Sequence, residues 1–241
     1  MILAVDSGNT RLKYGLFHGL ELVSSGQVSN EEAISCLSEL ILKHEISHGI
    51  LSSVKKQQWI SQLSEQISLP FQKANIASKF SFKIQYDTPE TLGIDRLIAC
   101  EGALSINKNE GNLLVIDAGT CITYDFLDSN LNYQGGIISP GLKIRAQGMN
   151  NYTDNLPLVP LNDPRTALIG KSTVECLKSG ILNGALAEMN GIIEQFQSQY
   201  PNLKIFLTGG DLIFFENGLK SGIFAEPNLT LVGLARLAAG E

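Results

Sequence analysis

An α/β protein of two related lobes is the fold class that this chain predicts, each lobe built on a mixed sheet opened by an antiparallel hairpin. Three observations carry that expectation. The opening stretch "MILAVDSGNTRLKYGLF" (1–17) is an apolar run, a carboxylate, a glycine turn and a second run. A near-copy, "LLVIDAGTCITYDFL" (113–127), follows, its aspartate 111 residues after the first (117 minus 6). After each copy the chain alternates between helical and strand periods, as helices packed on sheets require. A length of 241 residues, 44% of them hydrophobic, gives ample surface to bury. The expected division lies near residue 110, giving lobes 1–110 and 111–241 with a cleft between them.

The elements follow in order. Residues 2–5 and 12–17 read as strands joined by the Asp-Gly turn, and 20–28 extends the meander. "SNEEAISCLSELILKH" (29–44) opens with Ser29, Asn30 and two glutamates, then places Ile34, Leu37, Leu40 and Ile41 at helical spacing. "GILSSV" (49–54) is a short strand, and 56–67 an amphipathic helix around Trp59, Ile60, Leu63 and Ile67. Residues 86–106 carry Pro89 beside Thr88 as a helix start, then an apolar-periodic stretch. Strands at 113–127 and 131–138 precede the longest helical pattern, 173–198, with Val174, Leu177, Ile181, Ala185, Met189, Ile192 and Phe196 on one face. A strand at 204–210 and a helix at 230–239 close the chain.

Bulk properties exclude several classes. A formal charge of −6 argues against a general nucleic-acid binder, which needs a basic face. No run approaches the ~18 apolar residues of a membrane span, and Met1–Val5 lacks the features of a signal peptide. Cys36, Cys100, Cys121 and Cys176 are scattered, which suits buried thiols in a reducing cytoplasm.

Glycine turns hold phosphates by aiming backbone N–H groups at the anion. Here each turn lies between two strands, so no helix dipole assists. Asp6 and Asp117 fall at strand ends, placed to bind a metal or its waters; Thr10 and Thr120 add hydroxyls and Lys13 a point cation. Asp-x-Gly-Asn between apolar runs is also ordinary hairpin chemistry. Two copies opening two lobes, with a third turn in "LTGGDL" (207–212), favour a nucleotide clamp.

Together "DSGNTRLKYGLF", "DTPETLGIDRL", "VIDAGTCITYD", "GGIISPGL" and "LTGGD" closely resemble the type III pantothenate kinases, in order and from residue 2 to about 237. That resemblance implies two tandem ribonuclease H-like lobes of the actin-like ATPase superfamily, ATP-dependent phosphorylation of pantothenate at the head of coenzyme A biosynthesis, and a homodimer. It makes Asp6, Ser7, Gly8, Asn9, Thr10, Arg11, Leu12 and Lys13 the first phosphate motif, with Thr120 a further ATP contact. It makes Asp95 the proton acceptor and Gly93, Ile94, Asp95 and Arg96 pantothenate contacts, joined by Tyr86 and Thr173. Asp117 matches the ligand of a monovalent cation, K⁺ or NH₄⁺, and Asp6 is the candidate for the Mg²⁺ that accompanies ATP. Ser7, Cys121 and Tyr124 depart from the residues common at those places, without removing a catalytic group.

Other patterns compete. "HEISH" (44–48) fits the H-E-x-x-H zinc signature, which needs both histidines on one uninterrupted helix, yet "GILSSV" turns to strand at once. "IGKST" (169–173) resembles the end of a P-loop, but Arg165 stands where its first glycine belongs. Gly180, Gly184 and Gly191, continued by Ala187, line one face of the long helix and suit close packing, either against the sheet or against a second copy. A kinase of another small hydroxylated metabolite and a nonenzymatic regulatory relative are the alternative functions.

Overall fold

The computed structural model describes residues 1–8, 11–53, 69–108, 111–219 and 222–240. The expected helix at 56–67 lies outside them. The chain forms two units, Met1–Glu110 with Asn228–Glu241, and Gly111–Pro227. The closing helix, assigned to the second lobe from its place in the sequence, therefore belongs to the first. Its apolar residues Leu231, Leu234, Ala235 and Leu237 share a core with Ile2, Ala4, Phe17 and Ile50 of the opening strands.

In the first unit β1 (Ile2–Ser7), β2 (Arg11–His18), β3 (Glu21–Ser29), α1 (Ala33–Lys43), β4 (His48–Ser53), β5 (Phe71–Lys73), a two-residue β6 (Lys83–Ile84) and α2 (Ile94–Ile106) follow one another. Its sheet runs β3-β2-β1-β4-β5, with β1/β2 and β2/β3 antiparallel and β1/β4 and β4/β5 parallel. Alternation along β1 sends Leu3 and Val5 to a core with Leu37 of α1, and Ile2 and Ala4 to the face covered by the last helix.

The second unit carries β7 (Leu113–Ala118), β8 (Cys121–Leu127), β9 (Asn132–Pro140), α3 (Leu142–Asn151), α4 (Thr173–Gln199), β10 (Lys204–Thr208) and β11 (Ile223–Ala225); α5 (Leu229–Ala239) returns to the first. Its strands lie in the order β9-β8-β7-β10-β11, antiparallel across β7/β8 and β8/β9 and parallel across β7/β10 and β10/β11. That is the first sheet's topology again, so the repeat read in the sequence is a repeat of architecture. Both units are the ribonuclease H-like mixed sheets of the actin-like ATPase fold.

Local differences from the sequence reading have physical causes. Ser29 and Glu32 exchange hydrogen bonds, the Ser29 hydroxyl donating to Glu32 Oε2 at 2.9 Å, but they close a turn ahead of α1 and the helix proper starts at Ala33. Pro89 opens a 3-10 turn, Pro89–Thr91, and α2 starts afresh at Ile94, because Gly93 is extended (ψ 124°). α3 escaped notice since only Leu142 and Ala146 of its ten residues are buried. On α4, Leu177, Ile181, Leu182, Ala185, Met189 and Ile193 are buried in the second core. A Cβ added at Gly180, Gly184 or Gly191 would meet nothing within 4 Å outside its own helix, so of the two expected partners the sheet does not crowd them.

Candidate active site

Asp6 is the fifth residue of β1, and the strand pairing sets it opposite Lys13 on β2. It shares the face of Ile2 and Ala4, so it looks towards α5. From there Thr230 donates to Asp6 Oδ2 over a long 3.4 Å. Burial lifts the Asp6 carboxyl to about 6; the nearby charge of Asp95 adds to the rise, while Lys13 and the Thr230 hydroxyl act against it. Gly8 N–H donates to the Arg11 carbonyl at 3.0 Å and closes the turn. The hydroxyls of Ser7 and Ser52 are buried and have no hydrogen-bond partner among the described residues. Each such orphan costs about 1–3 kcal/mol.

Asp95 is set in the first turn of α2, where the helix dipole favours a carboxylate. Its Oδ1 accepts the Arg96 N–H at 3.0 Å, which leaves Oδ2 without a hydrogen-bond partner among the described residues. A Cβ on Gly93 would lie 2.5 Å from Asp95 Oδ1, so the glycine is what gives this carboxylate its room. Arg96 is buried, and Ile94 packs against the α5 core.

In the second unit Asp117 holds the same fifth place, on β7, opposite Thr123 on β8. Gly119 N–H donates to the Cys121 carbonyl at 3.0 Å, closing a turn that presents Thr120 to solvent. Two further segments abut it. Gly141, just before α3, donates to the Thr120 carbonyl at 3.1 Å, and a Cβ there would collide with the Gly119 and Thr120 carbonyls. Gly209, at φ 104°, comes as close to the Ala118 carbonyl, and Asp211 N–H donates to that oxygen at 2.8 Å. Burial raises the Asp211 carboxyl, against the pull of the Lys143 charge.

The Gly141 segment is itself clamped. Arg145 donates from Nε to the Pro140 carbonyl at 2.8 Å, and from Nη2 to Ser139 Oγ at 3.0 Å and Glu188 Oε2 at 2.6 Å. Burial pushes Glu188 up, yet the Arg145, Ser139 and Tyr124 hydrogen bonds hold its carboxyl below the usual range.

Several expected site residues are thus placed. Asp6, Lys13, Gly93, Asp95 and Arg96 belong to the first unit; Asp117 and Thr120 to the second. Asn9 and Thr10 lie outside the described residues. Arg11 is exposed, whereas the Leu12 side chain is wholly buried with Leu3 and Val5, its strand paired on both sides, with Ser7 and Val28. Tyr86 is half-buried between β6 and the Pro89 turn, and Thr173 is exposed at the first position of α4, behind the Ser172 cap that accepts Glu175 N–H at 3.3 Å. The zinc-like pattern is broken: His44 caps α1 in extended conformation and His48 opens β4.

A sequence profile of the type III pantothenate kinases matches residues 2–195. The chain belongs to the type III pantothenate kinase family. A type III pantothenate kinase of Flavobacterium johnsoniae is 40% identical over 240 residues, 98% of this chain and 96% of its own length. Solved structures agree on the fold. A Campylobacter jejuni protein assigned to the Baf family of transcriptional activators superposes at a TM-score of 0.62 with 20% identity, covering 99% of this chain and 98% of its own. A ROK hexokinase of Thermus thermophilus gives 0.52 with 15% identity, covering 98% and 97%.

For a type III pantothenate kinase, the sequence reading missed the parts that arrive from afar. Thr230 is 224 residues from Asp6, inside the "NLT" triplet that signals nothing by itself. Arg145 and Glu188 lie 43 residues apart on two helices, the first of which is too polar to announce itself.

Proposed function

We propose that this chain transfers the γ-phosphoryl group of ATP to the primary hydroxyl of pantothenate in the cytoplasm, giving 4′-phosphopantothenate for coenzyme A synthesis. The observation that carries the reading is the Asp95 carboxylate, one oxygen held by the helix N-terminus and the other without a partner among the described residues, its charge felt by Asp6, in a chain of this family. Asp95 Oδ2 accepts the hydroxyl proton as that oxygen attacks the γ-phosphorus. The bond to the β–γ bridging oxygen breaks and ADP leaves with its electrons. A carboxylate is a weak base, so placement matters more than basicity. Arg96, Gly93, Ile94, Tyr86 and Thr173 hold the substrate, and Arg96 steadies developing charge.

The first turn's amides, Thr10 and Lys13 receive the phosphates, and Thr120 is a further ATP contact. The donors around Asp6, a carboxylate and the Thr230 hydroxyl, are hard oxygens that fit Mg²⁺. Bound with ATP there, Mg²⁺ would neutralise phosphate charge. Asp117, a hard carboxylate whose Oδ1 lies beside Gly119 and Gly209, fits K⁺ or NH₄⁺ in the same way. The exposed small residues of α4, Gly180, Gly184 and Ala187, fit the contact of a homodimer.

A coupled ADP-release assay tests the reading. Pantothenate should start turnover and K⁺ should raise it, and Asp95→Asn should abolish it while nucleotide binding persists. No pantothenate-dependent ADP release would overturn the reading, and wild-type rates in Asp95→Asn would remove Asp95 as the acceptor.

A further inference from the structure

β1 and β4 run parallel with Asp6 opposite Ser52, while β2 sets Lys13 against Asp6 from the other side. Residues paired in register leave the same face of a sheet. One row across three strands therefore reads cation, carboxylate, hydroxyl: Lys13, Asp6, Ser52. Ser52 is 1% exposed, and its hydroxyl has no partner among the described residues. Its neighbours Ile50 and Leu51 are core residues, so an alanine would suit the strand and avoid the cost of the orphan. The second unit repeats the device. There the row is Thr123, Asp117, Thr208, again with a buried hydroxyl on the parallel strand beside the aspartate.

We propose that Ser52 is a positioning residue of the phosphate site, its hydroxyl donating to the oxygen shell of the cation–nucleotide complex that Asp6 receives. This rests on the reading of Asp6 as part of a nucleotide site. The hydroxyl is aimed by its strand, stays out of bulk water, and gains its hydrogen bond when nucleotide and Mg²⁺ bind together. Its effect belongs to nucleotide affinity and leaves the pantothenate side untouched.

The test uses the full chain and three variants. Ser52→Ala should match or exceed the wild type in thermal midpoint without ligand, since it removes an orphaned hydroxyl. Calorimetry with Mg²⁺ and a nonhydrolysable ATP analogue should show roughly tenfold weaker binding. KM for ATP should rise by a similar factor, with KM for pantothenate and kcat within twofold. Ser52→Cys, close in size but a poor donor, should behave like the alanine variant, and Ser52→Thr should recover most of the affinity. Unchanged Mg²⁺–nucleotide binding in both Ser52→Ala and Ser52→Cys would overturn the proposal, as would a large fall in thermal midpoint in both, which marks a purely structural serine. If wild-type protein binds the analogue in a Ser52-dependent way but does not turn over pantothenate, the substrate reading fails and the Ser52 proposal stands.

Discussion

Asp6 carries a carboxyl that the fold makes harder to ionise. Its pKa rises from 3.8 to about 6, through burial first and the Asp95 charge second. The folded state therefore holds this proton more tightly than the unfolded chain, and stability falls as pH rises between about 4 and 6. Above that window the penalty is on the order of 3 kcal/mol. Asp6→Asn should raise the thermal midpoint of ligand-free protein at pH 7, with the gain shrinking towards pH 4; no gain at pH 7 would refute the burial argument. Because a cation needs the ionised carboxylate, KM for Mg–ATP in the wild type should climb as pH drops through about 6. Asp6 and Asp95 were legible because each sits in a local signature. Thr230 and Ser52 were not, since only strand register and a helix from the far end of the chain bring them to the same place.

The helices that carry Asp95 and Thr230 are locked together by glycine. A Cβ on Gly102 of α2 would collide with the Leu229 carbonyl of α5, and one on Gly233 of α5 with the Ile98 carbonyl of α2. Glu101 and Arg236 add an ion pair at 2.8 Å across the same crossing, and Ser81 donates to both Glu101 oxygens, at 2.6 and 2.8 Å. Gly102→Ala pits a helix-propensity gain of about 1 kcal/mol against overpacking of about 1–3 kcal/mol or more. With backbone as the obstacle, overpacking wins. The variant should lose about 2 kcal/mol in chemical denaturation and also lose kcat, as Asp95 shifts with its helix; unaltered stability would show that the crossing can yield. Sequence alone drew attention to the glycines of α4 instead. Helical glycines look alike in a sequence, and only the element opposite decides which of them are crowded.

At the scale of the molecule the duplicated hairpin gave the fold class, because a strand–turn–strand repeat is a local pattern. The membership of the last helix was not legible, because nothing in "LTLVGLARLAA" records which sheet its apolar face will meet. The second unit also exposes Leu168 (80%), Ile169 (78%) and Val174 (40%) near the start of α4, more apolar surface than single scattered residues explain. Light scattering should give twice 26.1 kDa for the chain, and Gly184→Glu should shift it to one copy; a wild-type monomer at working concentration would remove the dimer.

The return of α5 also sets an order of events during synthesis. The first unit is interrupted by the whole of Gly111–Pro227, and the helix that shares a core with Ile2, Ala4, Phe17 and Ile50 leaves the ribosome only after that insertion. Until then that core has Ala74 and, from α2, Ile98 but lacks Leu231, Leu234, Ala235 and Leu237, whereas the second unit has all of its own strands and helices. The second unit is therefore able to settle first, and Asp6 gains its Thr230 neighbour only when α5 has emerged.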